Sequence, residues 1–499
     1  MTELQLYDTF RRSVHGFRPR VPGVATVYSC GPTVYSRQHL GNMRPYVFAD
    51  LLTRVLRLQG YEVRHVINIT DVGHLTDDAD EGDDKMERAA RGSGDSVLEV
   101  ARVWTDLFKR DLRLLGVKEP SVWAKASEHI AEQIEMIQVL EERGFTYRLA
   151  DGIYFDTGRD ASYGQLSRLR ASLGHARVEA ASGKRQPADF ALWKFSPKEG
   201  PRRQLEWPSP WGVGFPGWHI ECSAMATRYL GREIDIHTGG VDHVAVHHTN
   251  EIAQSENALG VSPWVQFWMH GAWLTMEGDK ISKSRPEGSA RSSIGIGLRG
   301  DLRRPPNLDD LRSLGTTPAG FRYYLYTAHY RSPLNLTAEA LRAAEAARHR
   351  LALVAQAAQA APPELESAPS GLGWSAPPNS EGLRKIRRKF FDALYDDLNA
   401  PRALAALWEI VEQPEPLAER GRLVRELAAT IGLELQDEVE SGSDEAHIEA
   451  HIEALVQQRE VARRARDFAL SDALRAELST HGVLVEDLPN GSRWRRVPV

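Results

Sequence analysis

The fold is decided by residues 25–69, which read ATVYSCGPTVYSRQHLGNMRPYVFADLLTRVLRLQGYEVRHVINI. The first six residues are rich in β-forming types, and Gly31-Pro32 ends that strand. Apolar residues then recur at three- and four-residue spacing from about Asn42 to Leu58, which predicts an amphipathic helix. A second apolar run follows at residues 61–69. Strand, helix and strand together predict one parallel, right-handed crossover.

The run His39-Leu-Gly-Asn42 lies where the first strand hands over to this helix. Backbone N–H groups and the helix dipole favour phosphate at a helix N-terminus. The crossover therefore predicts a nucleotide site that does not use a GxGxxG loop. A later alternating strand, Glu233 to His237, ends in Thr238-Gly-Gly240. Glycines at that place either let a ligand approach the backbone or form an ordinary turn.

Composition narrows the class of protein. A chain of 499 residues predicts about two to four domains. The net charge of -6 argues against indiscriminate coating of nucleic acid, but it leaves a local basic face open. Two cysteines cannot form a disulfide scaffold, so the predicted compartment is the reducing cytoplasm. We find no apolar secretory signal at the N-terminus and no run that approaches a membrane span.

The pattern along the chain predicts several domains. A helix-rich, charged stretch separates two halves of a Rossmann-like catalytic domain, and a stretch of Ala, Pro, Ser and Gly has the composition of a linker. The predicted bounds are 1–75 and 182–290 for the catalytic halves, 76–181 for the inserted connective domain, 291–354 for the region that follows the second catalytic half, 355–380 for the linker, 381–435 for a helical bundle and 444–499 for a small C-terminal domain. Arginines near Phe468 and Trp494 could bind phosphates and stack on bases, or form a solvated face.

Both cysteines lie in runs that are dense in functional residue types. Cys30 belongs to the run YSCGPTVY and Cys222 to the run GWHIECSAM. Within a helical pattern further on, His247 and Glu251 are four residues apart and share one face. Two sulfurs, a nitrogen and an oxygen are donors that zinc accepts. The long separations make this a weak metal signal by spacing alone, and core thiols with a solvated His–Glu pair are the alternative.

Five runs, in order, resemble the cysteinyl-tRNA synthetases of class I along nearly the whole chain. His39-Leu-Gly-Asn42 is similar to the HIGH motif of that class, and Lys280-Ile-Ser-Lys-Ser284 is similar to KMSKS. The runs CGPTVY, GWHIECSAM and HHTNE resemble the cysteine-specific branch. The resemblance implies an α/β protein with a Rossmann-like parallel-sheet catalytic domain, an inserted connective domain, an α-helical bundle and a small C-terminal tRNA-binding domain.

The resemblance also implies a reaction. It is the ATP-dependent ligation of L-cysteine to tRNA-Cys through a cysteinyl-adenylate, with Mg²⁺ accompanying ATP. One zinc ion per chain would select the substrate thiolate, which makes an editing domain unnecessary. A monomer is expected. The implied zinc ligands are Cys30, Cys222, His247 and Glu251.

Further residue roles follow from the matched motifs. The implied catalytic residues are His39, Asn42, Lys280 and Lys283. The ATP-binding set adds Gly41, Ser282 and Ser284 to these four. The predicted substrate contacts are Thr33, Trp218, Gly239, Gly240 and Asp242.

Three positions depart from the family pattern. Asn42 replaces the second histidine of HIGH, and Ile281 replaces the methionine of KMSKS. Arg285-Pro-Glu-Gly288 stands where the family has Leu-Gly-Asn, and a Gly-, Ser- and Arg-rich stretch follows up to Arg304. This last departure puts the activation rate in question. Two rival hypotheses stay open: a related ligase that passes cysteine to an amino sugar in the mycothiol pathway, and a non-catalytic zinc-dependent RNA-binding or thiol-sensing paralogue.

Overall fold

The structure is a computed structural model with two compact units, Met1–Leu435 and Gln436–Val499. It describes residues 2–72, 84–168, 183–197, 203–276, 305–356 and 380–435, the backbone of 279–280, 483–488 and 491–496, and single residues at 378 and between 455 and 478.

A five-stranded, all-parallel sheet forms the centre of the first unit. Its strands are β3 (Val24–Ser29), β4 (Glu62–Ile69), β5 (Val122–Lys125), β10 (Ile234–Gly240) and β11 (Val265–Gly271). Their order across the sheet is β11-β10-β3-β4-β5, and each neighbouring pair is parallel. The chain thus builds outward from β3 in one direction and later from β10 in the other. The predicted parallel-sheet fold class is confirmed.

Helix α1 (Leu40–Leu58) makes the crossover between β3 and β4. Its apolar positions, such as Val47, Leu51 and Val55, are buried in the main hydrophobic core. The helices that cross over between later strands of the first unit are α2 (Lys85–Ser93), α3 (Val97–Leu114), α4 (Ile130–Glu142), α5 (Trp218–Leu230) and α6 (His247–Leu259).

An antiparallel sheet is inserted between β5 and β10. Its strands, in spatial order, are β6 (Thr146–Leu149), β7 (Gly152–Phe155), β8 (Phe190–Phe195) and β9 (Gly214–Pro216). The sequence placed the end of the insertion at residue 181, whereas β8 and β9 extend this sheet beyond that point. The reason is pairing: β8 bonds to β7 and β9 bonds to β8, and sequence pattern alone does not reveal strand partners.

Smaller elements complete the first unit. The strands are the hairpin β1 (Gln5–Asp8) and β2 (Ser13–Gly16), and a three-stranded sheet of β12 (Leu274–Met276), β13 (Asp279–Lys280) and β14 (Leu334–Leu336). The helices are α7 (Pro318–Tyr326), α8 (Ala338–Gln356), α9 (Glu381–Tyr395), α10 (Ala400–Val411) and α11 (Leu417–Thr430). Single 3-10 turns lie at Ala126–Glu128, Thr157–Arg159, Val241–His243 and Leu308–Asp310. Most of the predicted linker lies outside the described residues.

In the second unit the described backbone forms one hairpin. Strand β15 (Val483–Leu488) pairs antiparallel with β16 (Gly491–Arg496). Four apolar residues of this unit, Leu455, Val456, Leu474 and Leu478, form a small cluster of their own. Among the residues that the structure describes in either unit, we find no helix with the length and apolar character needed to cross a membrane.

A buried ion pair ties α1 to its surroundings. The Asp50 carboxylate of α1 accepts hydrogen bonds from Arg322 of α7 and from Arg54, the latter at 2.7 Å. Arg322 also donates to the carbonyls of Leu115 at 2.7 Å and Ile431 at 2.8 Å. Burial alone would raise the pKa of Asp50, but Arg322 and Arg54 outweigh it and hold the pKa below its usual value.

We predict that Asp50→Asn lowers the free energy of unfolding by about 3 to 5 kcal/mol, because the Arg322 guanidinium loses its buried counter-charge. Urea unfolding measures this loss. Because the folded pKa of Asp50 is depressed, its contribution is complete above the unfolded value of about 4 and is lost as the pH falls through the folded value. The gap between wild type and Asp50→Asn should therefore narrow in acid.

The control is Glu62→Gln, which removes a half-exposed carboxylate 2.9 Å from Arg64. Exposed pairs contribute about 0 to 1 kcal/mol, so this variant should unfold near the wild-type urea midpoint. Equal losses in the two variants would contradict the role given to Asp50.

Candidate active site and metal centre

A cavity of about 380 Å³ opens at the carboxyl ends of β3 and β10. This is the point where the strand order reverses, and open α/β sheets bind ligands at such a point. Cys30 directly follows β3 and lines the cavity, as does Gly240 at the end of β10. Gly31 is needed beside Cys30, because a Cβ there would lie 1.5 Å from the Asn68 carbonyl oxygen. The backbone next to Cys30 therefore packs directly against the backbone of β4 at Asn68.

The structure brings the four predicted metal ligands together, and three of them, Cys30, Cys222 and His247, line the floor of this cavity. Cys222 lies in the second turn of α5, while His247 and Glu251 occupy the first and fifth positions of α6. One donor atom from each of these three, with Cys30 Sγ, lies within 4.8 Å of every other. All four residues are buried. Two sulfurs, an imidazole nitrogen and a carboxylate oxygen at this spacing form a donor set that suits zinc.

In this cluster a protonated His247 and an ionised Glu251 stabilise each other. His247 Nε2 lies 2.8 Å from Glu251 Oε1. Burial opposes the charged form of both groups, but Glu251 raises the pKa of His247 to about 10, and His237 and His247 hold the pKa of Glu251 well below its usual range. A hydrogen bond from Cys30 lowers the pKa of Cys222 to about 6, whereas burial raises the pKa of Cys30. The cluster thus accommodates one thiolate readily and resists the second.

The sequence did not single out a group of histidines around this cluster. His237 on β10 and His248 on α6, with Cys30 and Glu251, form a second set of donor atoms that all lie within 4.8 Å of one another. His237 Nε2 lies 2.7 Å from Glu251 Oε2. The run His247-His248 was visible in the sequence, but nothing in the pattern of β10 distinguishes His237 from a core strand residue.

A chain of contacts leads from Cys30 to the N-terminal hairpin. Cys30 Sγ lies 3.2 Å from His248 Nε2, and His248 Nδ1 lies 2.7 Å from His270 Nε2. His270 Nδ1 in turn lies 2.8 Å from Thr9 Oγ1. Burial lowers the pKa of His248 and of His270, so both rings are neutral. Outer partners of this kind fix the orientation of a ligand and the tautomer of its neighbour.

The HIGH-like turn forms another wall of the cavity. His39 is the N-cap of α1, and its backbone N–H donates to Asn42 Oδ1 at 3.2 Å. His39, Gly41 and Asn42 all line the cavity, so the N-terminus of α1 faces it. The dipole of α1 thus favours an anion here, while the backbone N–H groups of Leu40 and Asn42 already donate to Pro306 O and His39 O.

Four of the five residues predicted to contact the substrate lie at this cavity. Thr33, Trp218, Gly240 and Asp242 line the cavity, and the Trp218 ring stacks on His247 with centroids 4.2 Å apart. Gly239 instead lies against His243 and His248. The sequence missed the lining residues Gln38, Tyr46, Lys85 and Trp273, which come from four separate segments.

The KMSKS-like run lies mostly beyond the described residues. The backbone of Lys280 is described and pairs with Thr275 across β12 and β13. Ser282, Lys283 and Ser284 lie outside the described residues, as do the departures at 285–304.

Comparison with known proteins decides the family. A family model described as the class I (C) catalytic domain of tRNA synthetases matches residues 17–288, and the model of the cysteinyl-tRNA ligase anticodon binding domain matches residues 446–495. Cysteine–tRNA ligase 1 from Burkholderia lata is 45% identical over 98% of this chain and 96% of its own length. The chain belongs to the cysteine–tRNA ligase family. The enzyme class that the five sequence runs implied is confirmed.

Other relatives agree with this assignment. The cysteine–tRNA ligase from Treponema denticola is 37% identical over 99% of this chain and 100% of its own length. Among solved structures, LeuRS from Agrobacterium radiobacter K84, in a ternary complex, aligns with a TM-score of 0.57 at 12% identity, over 83% of this chain and 84% of its own. At that identity the likeness concerns the fold alone, and it supports the α/β class.

We predict that Gly239→Ala disturbs the histidine group of this cysteine–tRNA ligase family member. A Cβ at Gly239 would lie 2.7 Å from His248 Cε1 and 2.8 Å from His243 Nδ1. Overpacking of this kind lowers the free energy of unfolding by about 1 to 3 kcal/mol, which urea unfolding measures.

The matched control is Gly92→Ala in the last turn of α2, where an added Cβ meets nothing within 4 Å. Because alanine is the better helix former, this variant should be as stable as wild type or more stable. A Gly239→Ala variant as stable as Gly92→Ala would show that the histidines move aside without cost.

Proposed function

We propose that this protein ligates L-cysteine to tRNA-Cys in two steps, with zinc selecting the substrate thiolate. ATP first activates the cysteine carboxylate to give cysteinyl-adenylate and pyrophosphate. The cysteinyl group then passes to the terminal ribose of the tRNA. One observation carries the proposal: a single cavity has the buried sulfur, nitrogen and oxygen donor set on one side and the N-terminus of α1 on another.

Cys30, Cys222, His247 and Glu251 would hold the zinc ion. The fit rests on their shared burial, on donor atoms within 4.8 Å of one another and on the thiolate-rich chemistry of the set. When bound, zinc supplies a Lewis-acid position at which a thiol ionises at neutral pH. The side chains of the second donor set, His237 and His248, would then serve as outer partners that orient Glu251 and Cys30.

A metal–sulfur bond explains how cysteine would be separated from its near-isosteres. Serine differs from cysteine by one atom, and a hydrophobic pocket separates such pairs by only about 100-fold. A hydroxyl is a far poorer zinc ligand than a thiolate, so selection is built into the bond. Trp218, stacked on His247, would form the wall that limits the size of the side chain.

The first step would depend on the turn at the start of α1. His39 and Asn42 would hydrogen-bond phosphate oxygens of ATP, and Gly41 would let the adenine approach the backbone. Lys280 and Lys283 would neutralise the charge that develops on pyrophosphate, with Mg²⁺ accompanying ATP. Reactions at phosphorus are accelerated mainly by such positioning and charge neutralisation.

The C-terminal unit would bind the anticodon region of tRNA-Cys. The match of residues 446–495 to an anticodon binding domain supports this partner, and it disfavours the amino-sugar ligase, which is expected to lack that part. The other domain bounds, the monomeric state and the cytoplasmic location stay predictions.

Charging of a tRNA-Cys transcript tests the function. Purified protein with labelled cysteine and ATP should form cysteinyl-tRNA, and metal analysis should find about one zinc ion per chain. Adenylate formation without charging would point to the amino-sugar ligase. If neither adenylate nor charged tRNA forms, the chain is a binding paralogue and the proposal is wrong.

We predict that Cys222→Ser and His247→Asn lose zinc and cysteine activation together, because each removes one of four ligands. The measurement is zinc content by metal analysis beside ATP–pyrophosphate exchange with cysteine.

The control is His243→Asn, which replaces a histidine that lines the same cavity but belongs to neither donor set. Its zinc content should equal that of wild type. If His237→Asn loses zinc while His247→Asn keeps it, the ligands are the second donor set and the assignment must change.

A further inference from the structure

Arg44 is a buried arginine in the second turn of α1, 3% exposed, and all four of its hydrogen bonds go to main-chain carbonyls. Its Nη1 donates to Ala272 O at 3.0 Å and to Trp273 O at 2.7 Å. Its Nη2 donates to His329 O at 3.1 Å and to Ser332 O at 2.6 Å. One guanidinium therefore fixes two separate stretches of backbone on the helix that begins with the HIGH-like turn.

These two stretches are the roots of one small sheet. Residues 272–273 connect β11 to β12, and residues 329–332 lead into β14, which pairs parallel with β12. They also bond to each other, because Ala272 N–H donates to Tyr330 O at 2.8 Å and Leu334 N–H donates to Trp273 O at 3.2 Å. Strand β12 pairs in turn with β13, which ends at Lys280, the first lysine of the KMSKS-like run. Arg44 thus connects the two motifs through backbone alone.

The chemistry of the side chain suits this connection. A guanidinium presents five N–H donors in a rigid planar fork, whereas an ammonium is a point charge on a flexible stem. Burial lowers the pKa of Arg44 only to about 10, so the group is charged at neutral pH. The four acceptors are neutral carbonyls, so what the fork determines is the position of the backbone. Trp273, whose carbonyl accepts from Arg44, also lines the cavity, as His39 does.

We propose that Arg44 is a positioning residue for adenylate formation. It would position the antiparallel pair β12 and β13, called here the Lys280 hairpin, relative to the N-terminus of α1. The inference rests on the proposed function, since it assumes that both motifs act on the same phosphates. Arg44 acts through the backbone and is not a catalytic residue. Misplacement of a catalytic group by about 1 Å can cost about 100-fold in rate. Loss of Arg44 should therefore lower kcat for adenylate formation and leave the proposed cysteine-binding side chains in place.

The test is a double-mutant cycle in ATP–pyrophosphate exchange. Arg44→Lys keeps the charge but loses the fork, and we expect kcat to fall about 10- to 100-fold. The KM for cysteine and the zinc content should stay at wild-type values, because none of the four hydrogen bonds of Arg44 goes to Cys30, Cys222, His247 or Glu251. In a Lys280→Ala background, Arg44→Lys should change kcat less than about 2-fold, because the group that it positions is already absent.

The matched control is Arg322→Lys. Arg322 is 1% exposed and also donates to main-chain carbonyls, at Leu115 and Ile431 instead of the backbone next to β12 and β14, and it pairs in addition with Asp50 of α1. Both Arg322→Lys and Arg44→Lys should lower thermal stability. Any effect of Arg322→Lys on kcat should be the same in the wild-type and the Lys280→Ala background. If Arg44→Lys does not fold, Arg44→Gln replaces it, because the glutamine amide retains two N–H donors.

Three results would overturn the inference. They are equal kcat losses from Arg44→Lys with and without Lys280, a rise in the KM for cysteine that accounts for the loss, and no effect of Lys280→Ala alone. Failure of the proposed function is a different result, because wild-type protein would then form no adenylate at all.

Discussion

The burial of negative charge at the floor of the cavity is the constraint on which the site depends. Two thiols and the Glu251 carboxylate lie within 4.8 Å of one another, away from water. His247 can balance one of these charges, while the hydrogen bond between the two thiols lowers the pKa of Cys222 and burial raises the pKa of Cys30. A divalent cation would balance a second thiolate as well. The donor set of the cluster therefore has the composition and burial that a divalent cation would suit.

The parallel sheet makes this concentration of charge feasible. Because the chain leaves β3 toward one edge and returns through β10 toward the other, the two strand ends open a gap between them. Cys30 enters from one side of the gap, and the loop after β10 leads into α6, which carries His247 and Glu251. Cys30 and the α6 side chains His247 and Glu251, which are more than 200 residues apart in sequence, meet because strand order, and not sequence distance, decides which strand ends are neighbours.

The sequence predicted the elements better than their partners. The crossover over residues 25–69 was predictable because its signals are local: period, turn residues and a helix start. The histidine group was not, since His237, His248 and His270 come from β10, α6 and β11 and meet only after the sheet forms. Arg44 had the sequence appearance of a polar position on an amphipathic helix. It is buried because residues 272–273 and 329–332 cover that side of α1.

Helix α1 is the element that several demands share. Its N-terminus faces the cavity, Arg44 in its second turn holds the small sheet, and Asp50 in its third turn anchors α7 through Arg322. Each contact is polar and directional, whereas apolar packing would allow the helix to slide or rotate by a fraction of a turn. Buried polar contacts cost desolvation and add little stability against apolar alternatives. We infer that their value here is orientation: the contacts of Arg44 and Asp50 fix α1 at two levels and so hold its first turn in a constant position at the cavity.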